Sequence, residues 1–337
     1  MLRVAINGYG RIGRIVHRQL LTRFPQEVEV VAINASSDAA MRKYLLKYDT
    51  LHGRCDRAVE VEGEDLRIEG KPVRVIREKD PAKCPWKDLK VDVVVEATGK
   101  FRTREKAQAH LTAGAKAVII TAPPKDDTPM IVRGVNDDLL KSALPIVSAA
   151  SCTTNCIAPV IKVLDSWKGI KRGLMCTTHS YTSSQNLLDN ATESSKLRIA
   201  RAAALNIIPS TTGAAKAVGK VFPHLKGKLD GMALRIPIPD VSAAYLVLEL
   251  NAPASPAEIN SKLREASEGE LKGILAVEEG LLVSSDYLSD PHSSTVDLDS
   301  TNVIDGNLVQ ILAWYDNEWG YAMRVTEMTL QVGTLLR

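Results

Sequence analysis

The feature that most restricts this chain is a glycine turn close to its start. Gly8-Tyr9-Gly10-Arg11-Ile12-Gly13 has the spacing GxGxxG. It follows the apolar run Leu2 to Ile6 and opens residues 11–22, whose apolar positions 12, 15, 16 and 20 recur at helical spacing. Strand, glycine turn and helix in that order describe the first unit of a parallel α/β sheet that binds a dinucleotide. Gly8 permits the tight turn, Gly10 lets a pyrophosphate approach the backbone, and Gly13 lets helix and strand pack closely. The helix start adds free N–H groups and partial positive charge. The competing reading is a βα turn merely rich in glycine; the flanking strand and helix favour the dinucleotide site.

The alternation continues through the first half. Strands are expected at 27–33, 59–62, 66–68, 73–76, 92–97, 117–121 and 146–149, and helices at 38–48 and 103–113. Short loops between them argue for a doubly wound parallel sheet. Aromatic residues make up 4%, so the core must rest on Val, Ile, Leu and Ala. After Cys152 the pattern changes. A helix is expected at 155–168, a long polar loop at 183–196, strands at 232–238, 243–250 and 308–315, and a helix at 256–267; the last 20 residues again show helical spacing. Long strands with few helices suggest an α+β domain with a largely antiparallel sheet. The expected class is α/β: a Rossmann domain over 1–151 completed by a C-terminal helix 319–337, and a catalytic domain over 152–318.

The 43 basic and 40 acidic residues leave a net charge of +3, too little to imply nucleic-acid binding but compatible with a basic pocket for an anionic metabolite. No stretch approaches 18 uncharged apolar residues, so no membrane helix is expected. The first apolar run, broken at Asn7 and Gly8, is too short for a signal peptide. The five cysteines (55, 84, 152, 156 and 176) are odd in number in a long chain, which predicts reduced thiols in a cytoplasm. None has zinc spacing, so no metal is expected.

An NAD site usually places an acid at the end of the second strand, where it binds the ribose 2′-hydroxyl. Here that strand ends Asn34-Ala35-Ser36-Ser37, with no carboxylate; Asp38 reads as a first-turn residue of the next helix. Ala35 removes a repulsion that a 2′-phosphate would feel, and the hydroxyls of Ser36 and Ser37 offer it hydrogen bonds. NADP is therefore expected as cofactor, with NAD tolerated. The alternative is that NAD binds through its other contacts.

Cys152 lies in Ser151-Cys152-Thr153-Thr154-Asn155-Cys156, where an apolar strand gives way to a helix. A thiol at a helix start is expected to be acidified. His179, downstream in His179-Ser180-Tyr181-Thr182, would hold the thiolate and shuttle protons. The bland reading makes Cys152 a small buried hydrophobe and His179 structural.

Together these segments resemble phosphorylating glyceraldehyde-3-phosphate dehydrogenases. The resemblance rests on INGYGRIGR (6–14), ASCTTNC (150–156), HSYT (179–182), TGAAKAVGKVFP (212–223) and WYDNEWGY (314–321). It implies that Cys152 is the nucleophile and His179 its base. It further implies that Thr182 and Arg235 bind the phosphate of glyceraldehyde 3-phosphate, and that Ser151, Thr153, Arg198, Thr212 and Gly213 bind inorganic phosphate. Arg11 and Ile12 would offer N–H groups to the pyrophosphate, Thr98 would join the cofactor contacts, and Asn317 and Tyr321 would hold the nicotinamide. A thiohemiacetal would give a thioester, then an acyl phosphate. A homotetramer is implied, with the polar loop near a neighbouring cofactor.

Two departures from the family's pattern bear on the cofactor. Ala35 replaces its usual acid, and residues 189–195 lack its common Leu-Pro; Ala191 and Thr192 leave room for a 2′-phosphate. Arg77 is a further candidate phosphate contact, its alternative being a solvated charge beside Glu78 and Lys79. Two other functions compete: erythrose 4-phosphate dehydrogenase, and a non-enzymatic binding relative. Thr182 with Thr212-Gly213-Ala214-Ala215 speaks for the triose, and balanced charge with the Cys152/His179 pair speaks for an enzyme.

Overall fold

The computed structural model describes the backbone of residues 1–337 and every side chain except those of 194–196. The chain divides into two units, residues 1–151 with 322–337, and residues 152–321.

The first unit alternates β1 (Leu2–Asn7), α1 (Arg11–Arg23), β2 (Val28–Asn34) and α2 (Ala39–Lys47). A small hairpin of β3 (Tyr48–Asp49) and β4 (Gly53–Arg54) follows, then β5 (Val59–Glu62), β6 (Asp65–Ile68) and β7 (Lys71–Ile76). The chain continues through β8 (Val93–Glu96), α3 (Arg104–Thr112), β9 (Ala117–Ile120), α4 (Leu140–Ala143) and β10 (Ile146–Ser148). The main sheet runs β10-β9-β8-β1-β2-β7-β6-β5. The strands from β10 to β7 are parallel, and β6 and β5 add an antiparallel edge. Val4, Ile6, Ile33, Val93, Val95 and Ile119 are all sealed from solvent, as aliphatic runs covered on both faces must be. The strand order reverses between β1 and β8. Ligands of such sheets bind at that crevice, beyond the carboxyl ends of the strands.

The second unit holds α5 (Cys152–Lys168), β11 (Ile170–Ser180), β12 (Ile208–Thr211), α6 (Ala214–Val221), β13 (Leu229–Ile236) and β14 (Ser242–Leu250). It continues with α7 (Pro256–Glu268), β15 (Leu275–Glu278), β16 (Ser294–Ile304) and β17 (Leu308–Tyr315). The helix α8 (Trp319–Leu335) carries the chain back to the first unit. The sheet order is β12-β13-β11-β14-β17-β16-β15, with parallel pairing only at β11–β13 and β15–β16. Ile157, Val160 and Ile161 of α5 pack with Leu246, Leu248 and Ile311 in one core. The class is α/β, a doubly wound parallel sheet and a largely antiparallel one.

The structure departs from the sequence reading at particular elements. The helix predicted from 155 starts at Cys152: Thr153, Thr154 and Asn155 are buried there, and the Thr153 hydroxyl finds its partner in the Tyr315 hydroxyl. β16 and α6 were not expected, and the strand predicted at 232–238 ends at Ile236, ahead of Pro237 and Pro239.

Candidate functional site

In the first unit the glycine turn is built by close approach of backbone. Gly8 has φ +97°, and a Cβ there would lie 2.6 Å from the Thr98 amide nitrogen and the Ala97 carbonyl carbon. A Cβ at Gly13 would lie 2.1 Å from the Gly8 carbonyl oxygen and 3.1 Å from the Ile6 side chain. At Gly10 a Cβ would meet nothing within 4 Å. Two glycines are thus required by the protein itself, and the third faces open space where a phosphate would fit. Gly10 caps α1 with no side-chain hydrogen bond, and the first turn carries no acid. A dinucleotide therefore fits the turn, with the N–H groups of Arg11 and Ile12 at its helix start.

A buried polar net ties the strand ends around this turn. Asn7 donates to Glu96 at 2.5 Å, and His110 Nε2 lies 3.0 Å from the same carboxylate. The Trp86 indole donates to His110 Nδ1 at 3.1 Å, so Nε2 carries the ring proton. Thr98 donates its N–H and its hydroxyl to Glu96. Asn34 donates to Asn7 at 2.7 Å and to the Glu78 carbonyl at 2.8 Å, and accepts from the Glu78 N–H at 3.0 Å. Its amide joins β2 to the turn after β7. Ala35 follows, its N–H donating to the Ile76 carbonyl at 3.0 Å, which sets exposed Arg77 beside it. Ser36 is exposed and Ser37 half-buried.

In the second unit Cys152 and His179 meet. The chain enters α5 through Ala150, a left-handed residue at φ +58°, and β11 ends at Ser180, which places His179 in its last turn of sheet. Cys152 Sγ lies 3.5 Å from His179 Nε2. In the β11–β13 register His179 is opposite Arg235. Arg235 Nη1 is 2.6 Å from His179 Nδ1 and 3.0 Å from the Ser180 carbonyl, which is itself 2.8 Å from Nδ1. Nδ1 thus lies between a guanidinium donor and a carbonyl acceptor: with Arg235 donating, the ring proton sits on Nε2, and with the Ser180 carbonyl accepting, it sits on Nδ1. Burial, then the Arg235 charge, pushes the imidazole down to about 4. Burial also pushes the Cys152 thiol up, against the opposing pull of Arg235 and the Thr153 hydrogen bonds. The expected acidified thiol is therefore corrected: the pair rests as thiol and neutral imidazole, because desolvation outweighs nearby positive charge.

The remaining predicted residues distribute as follows. Arg198 and Arg235 line one cavity of about 640 Å³, with Ser184, Gln185, Ser210 and Thr211. Thr182 is not among the lining residues; its hydroxyl is 2.9 Å from Oγ of Ser184, which is one of them. Thr212 accepts from the Ala214 N–H at 3.2 Å and Gly213 caps α6. The Thr153 hydroxyl is 2.9 Å from the Tyr315 hydroxyl, which Thr177 meets at 2.8 Å. Ser151 sits one residue before α5. Asn317 and Tyr321 are buried at the start of α8. Of the 189–195 segment, Ser194 and Ser195 lie outside the described side chains.

Sequence reasoning missed the groups that orient Asn317. Ser180 and Ser242 donate their hydroxyls to its Oδ1 at 2.9 and 2.6 Å, and Ser242 Oγ accepts from the Ser180 N–H at 3.1 Å. This leaves Nδ2 as the donor end of the amide. Val241, at φ +61°, holds Ser242 in place in a conformation costly for a β-branched residue. Arg42 was also missed; it lies under the 35–37 loop. Burial pushes the Cys84 thiol up to about 12 and raises the Cys156 thiol as well, which makes both poor nucleophiles.

Two family models match the chain: the NAD binding domain of glyceraldehyde 3-phosphate dehydrogenase over residues 2–104, and the C-terminal domain of glyceraldehyde 3-phosphate dehydrogenase over residues 151–317. The glyceraldehyde-3-phosphate dehydrogenase of Mycobacterium avium is 52% identical over 99% of both chains. That of Geobacillus stearothermophilus is 51% identical over 99% of this chain and 98% of its own. The glyceraldehyde-3-phosphate dehydrogenase 2 of Bacillus subtilis is 48% identical over 100% and 98%.

Proposed function

Because the chain belongs to the glyceraldehyde-3-phosphate dehydrogenase family, we propose that it oxidises glyceraldehyde 3-phosphate with inorganic phosphate to 1,3-bisphosphoglycerate, preferring NADP and tolerating NAD. The observation that carries the chemistry is the Cys152–His179 contact with Arg235 against the ring. In the first unit, residues 8–13, Asn34 to Ser37, Arg77 and Thr98 would hold the dinucleotide. In the second, Asn317 would present Nδ2 to the nicotinamide carboxamide, with Tyr321 nearby.

Cys152 Sγ attacks the aldehyde carbon, and its proton passes to His179 Nε2. That nitrogen must first be bare. An anionic substrate drawing Arg235 away lets the ring proton sit on Nδ1 and bond the Ser180 carbonyl, so substrate phosphate arms the base. The oxyanion of the thiohemiacetal is met by Nε2–H and the Cys152 N–H. The bound nicotinamide supplies the two-electron acceptor for oxidation to the acid level. An oxygen of inorganic phosphate then attacks the thioester carbon, the C–S bond breaks, and Cys152 takes back its proton. Arg198 and Arg235, in one cavity, supply the charge that two phosphates demand.

A homotetramer fits the second sheet. Its helices cover one face, while Leu174, Met232, Tyr245 and Ile304, which share the other through the strand registers, are 66%, 43%, 39% and 59% exposed. No helix among the described residues is long and apolar enough to cross a membrane. Initial rates with glyceraldehyde 3-phosphate and erythrose 4-phosphate, with NADP and NAD, with and without phosphate, test the proposal. Phosphate-independent turnover, or faster oxidation of the tetrose, would overturn it.

A further inference from the structure

Arg42, on the first turn of α2, is 1% exposed. Its Nη2 donates to the carbonyls of Ala35 and Ser37, yet its Nε and Nη1 are buried with no hydrogen-bond partner. A buried guanidinium so poorly paired is costly to hold unless an anion lies nearby. The positive charge of Arg77 also acts on it, and burial with that charge weakens its hold on a proton, while Asp38 and the Tyr9 hydroxyl act in the opposite sense. Asp38 offers limited relief, since its carboxylate caps α2 by accepting from the Met41 N–H at 2.8 Å. Glu78 points its carboxylate to the Asp80 N–H at 2.9 Å. The field at the end of β2 is therefore positive at the place where an NAD site would carry an acid.

The same contacts shape the loop. With the carbonyls of Ala35 and Ser37 turned onto Arg42, the N–H groups of Ser36 and Asp38 point the opposite way, because the peptides are trans. We infer that Arg42 is the specificity-determining charge of a 2′-phosphate subsite: it lies beneath the 35–37 loop, fixes its N–H groups and serine hydroxyls outward, and with Arg77 attracts the doubly charged phosphate of NADP. The inference rests on the NADP preference proposed above.

The test is calorimetric binding of adenosine 2′,5′-bisphosphate and adenosine 5′-monophosphate, which differ only in the 2′-phosphate, to wild type, Arg42→Met and Arg42→Lys. Wild type should bind the bisphosphate more tightly. Arg42→Met should weaken the bisphosphate ~10- to 100-fold and the monophosphate less than about 2-fold, the loss expected when one positive charge is removed from close beneath an anion. Arg42→Lys should recover part of the difference, because it keeps the positive charge but not the planar group that bonds both loop carbonyls. Equal losses for both nucleotides in Arg42→Met would make Arg42 a mere loop staple and overturn the inference. Retained discrimination would overturn it while leaving NADP preference standing. Absence of discrimination in wild type would overturn the NADP preference itself. Should Arg42→Met fail to fold, Arg42→Gln, which also removes the charge but can still donate to the loop carbonyls, carries the same comparison.

Discussion

The two units meet their proposed ligands by different means. The first uses backbone: glycines that allow close approach, N–H groups at a helix start, and a loop held from beneath. The second uses side chains at strand ends, a sulfur, an imidazole, a guanidinium and an amide, each held by partners from other strands. A backbone site depends on a few residues that must lack a side chain. A side-chain site depends on every member, since each performs a separate step.

This contrast can be tested at its strongest point by Cys152→Ser. Turnover should fall by at least about 10³-fold, while the first unit still binds nucleotide. Retained activity would remove the sulfur from the chemistry and collapse the contrast.

Next in size is the glycine turn, where Gly13→Ala and Gly10→Ala should separate. The added methyl at Gly13 would strike the Gly8 carbonyl, so about 1–3 kcal/mol of stability and several degrees of Tm should be lost. At Gly10 it would enter open space, leaving Tm unchanged but weakening nucleotide binding. Equal effects on Tm would show that the turn has no ligand-facing side.

Ala35→Asp sharpens the comparison within the first unit. The ratio of kcat/KM for NADP over NAD should fall ~10- to 100-fold, because the new carboxylate repels the 2′-phosphate. An unchanged ratio would leave cofactor choice to residues elsewhere.

The second unit makes smaller, pH-dependent predictions. Arg235 draws the Cys152 thiol down, so Arg235→Met should move the midpoint of Cys152 alkylation to higher pH. A shift to lower pH would contradict the charge pattern. Asp240 is buried beside Asp316, whose oxygens already accept from the N–H groups of Ser289, Glu318 and Trp319. Burial, and then the charges of Asp316 and Glu318, push Asp240 well above the usual carboxylate range. The folded state then keeps a proton that the unfolded chain releases, so stability falls as pH rises from about 4 through neutrality. Asp240→Asn should flatten that slope, by a few degrees of Tm at pH 8. His179 acts in the opposite direction: held at about 4 when folded, it loses stability as pH falls below about 6.5. A steeper alkaline loss in Asp240→Asn would reverse the assignment.

The parallel sheet was legible because its strands are short aliphatic runs separated by punctuated helices, a local pattern. The glycine spacing was legible because each glycine answers a backbone demand made within a few residues. β16 was hidden because Ser294, Thr295 and Asp297 are polar and become sheet only when β15 and β17 pair with them. The start of α5 was hidden because Thr153 is satisfied by Tyr315, more than 150 residues away.

By itself the sequence determined the class of fold, the place of the glycine turn and the candidate cysteine–histidine pair, all of which depend on spacing and residue type. Only the tertiary structure decided the charge state of that pair, the orientation of Asn317 and the presence of Arg42 under the 35–37 loop. Those depend on burial and on partners brought from distant strands, and electrostatic energies are set by what surrounds a group in space, whatever its neighbours along the chain.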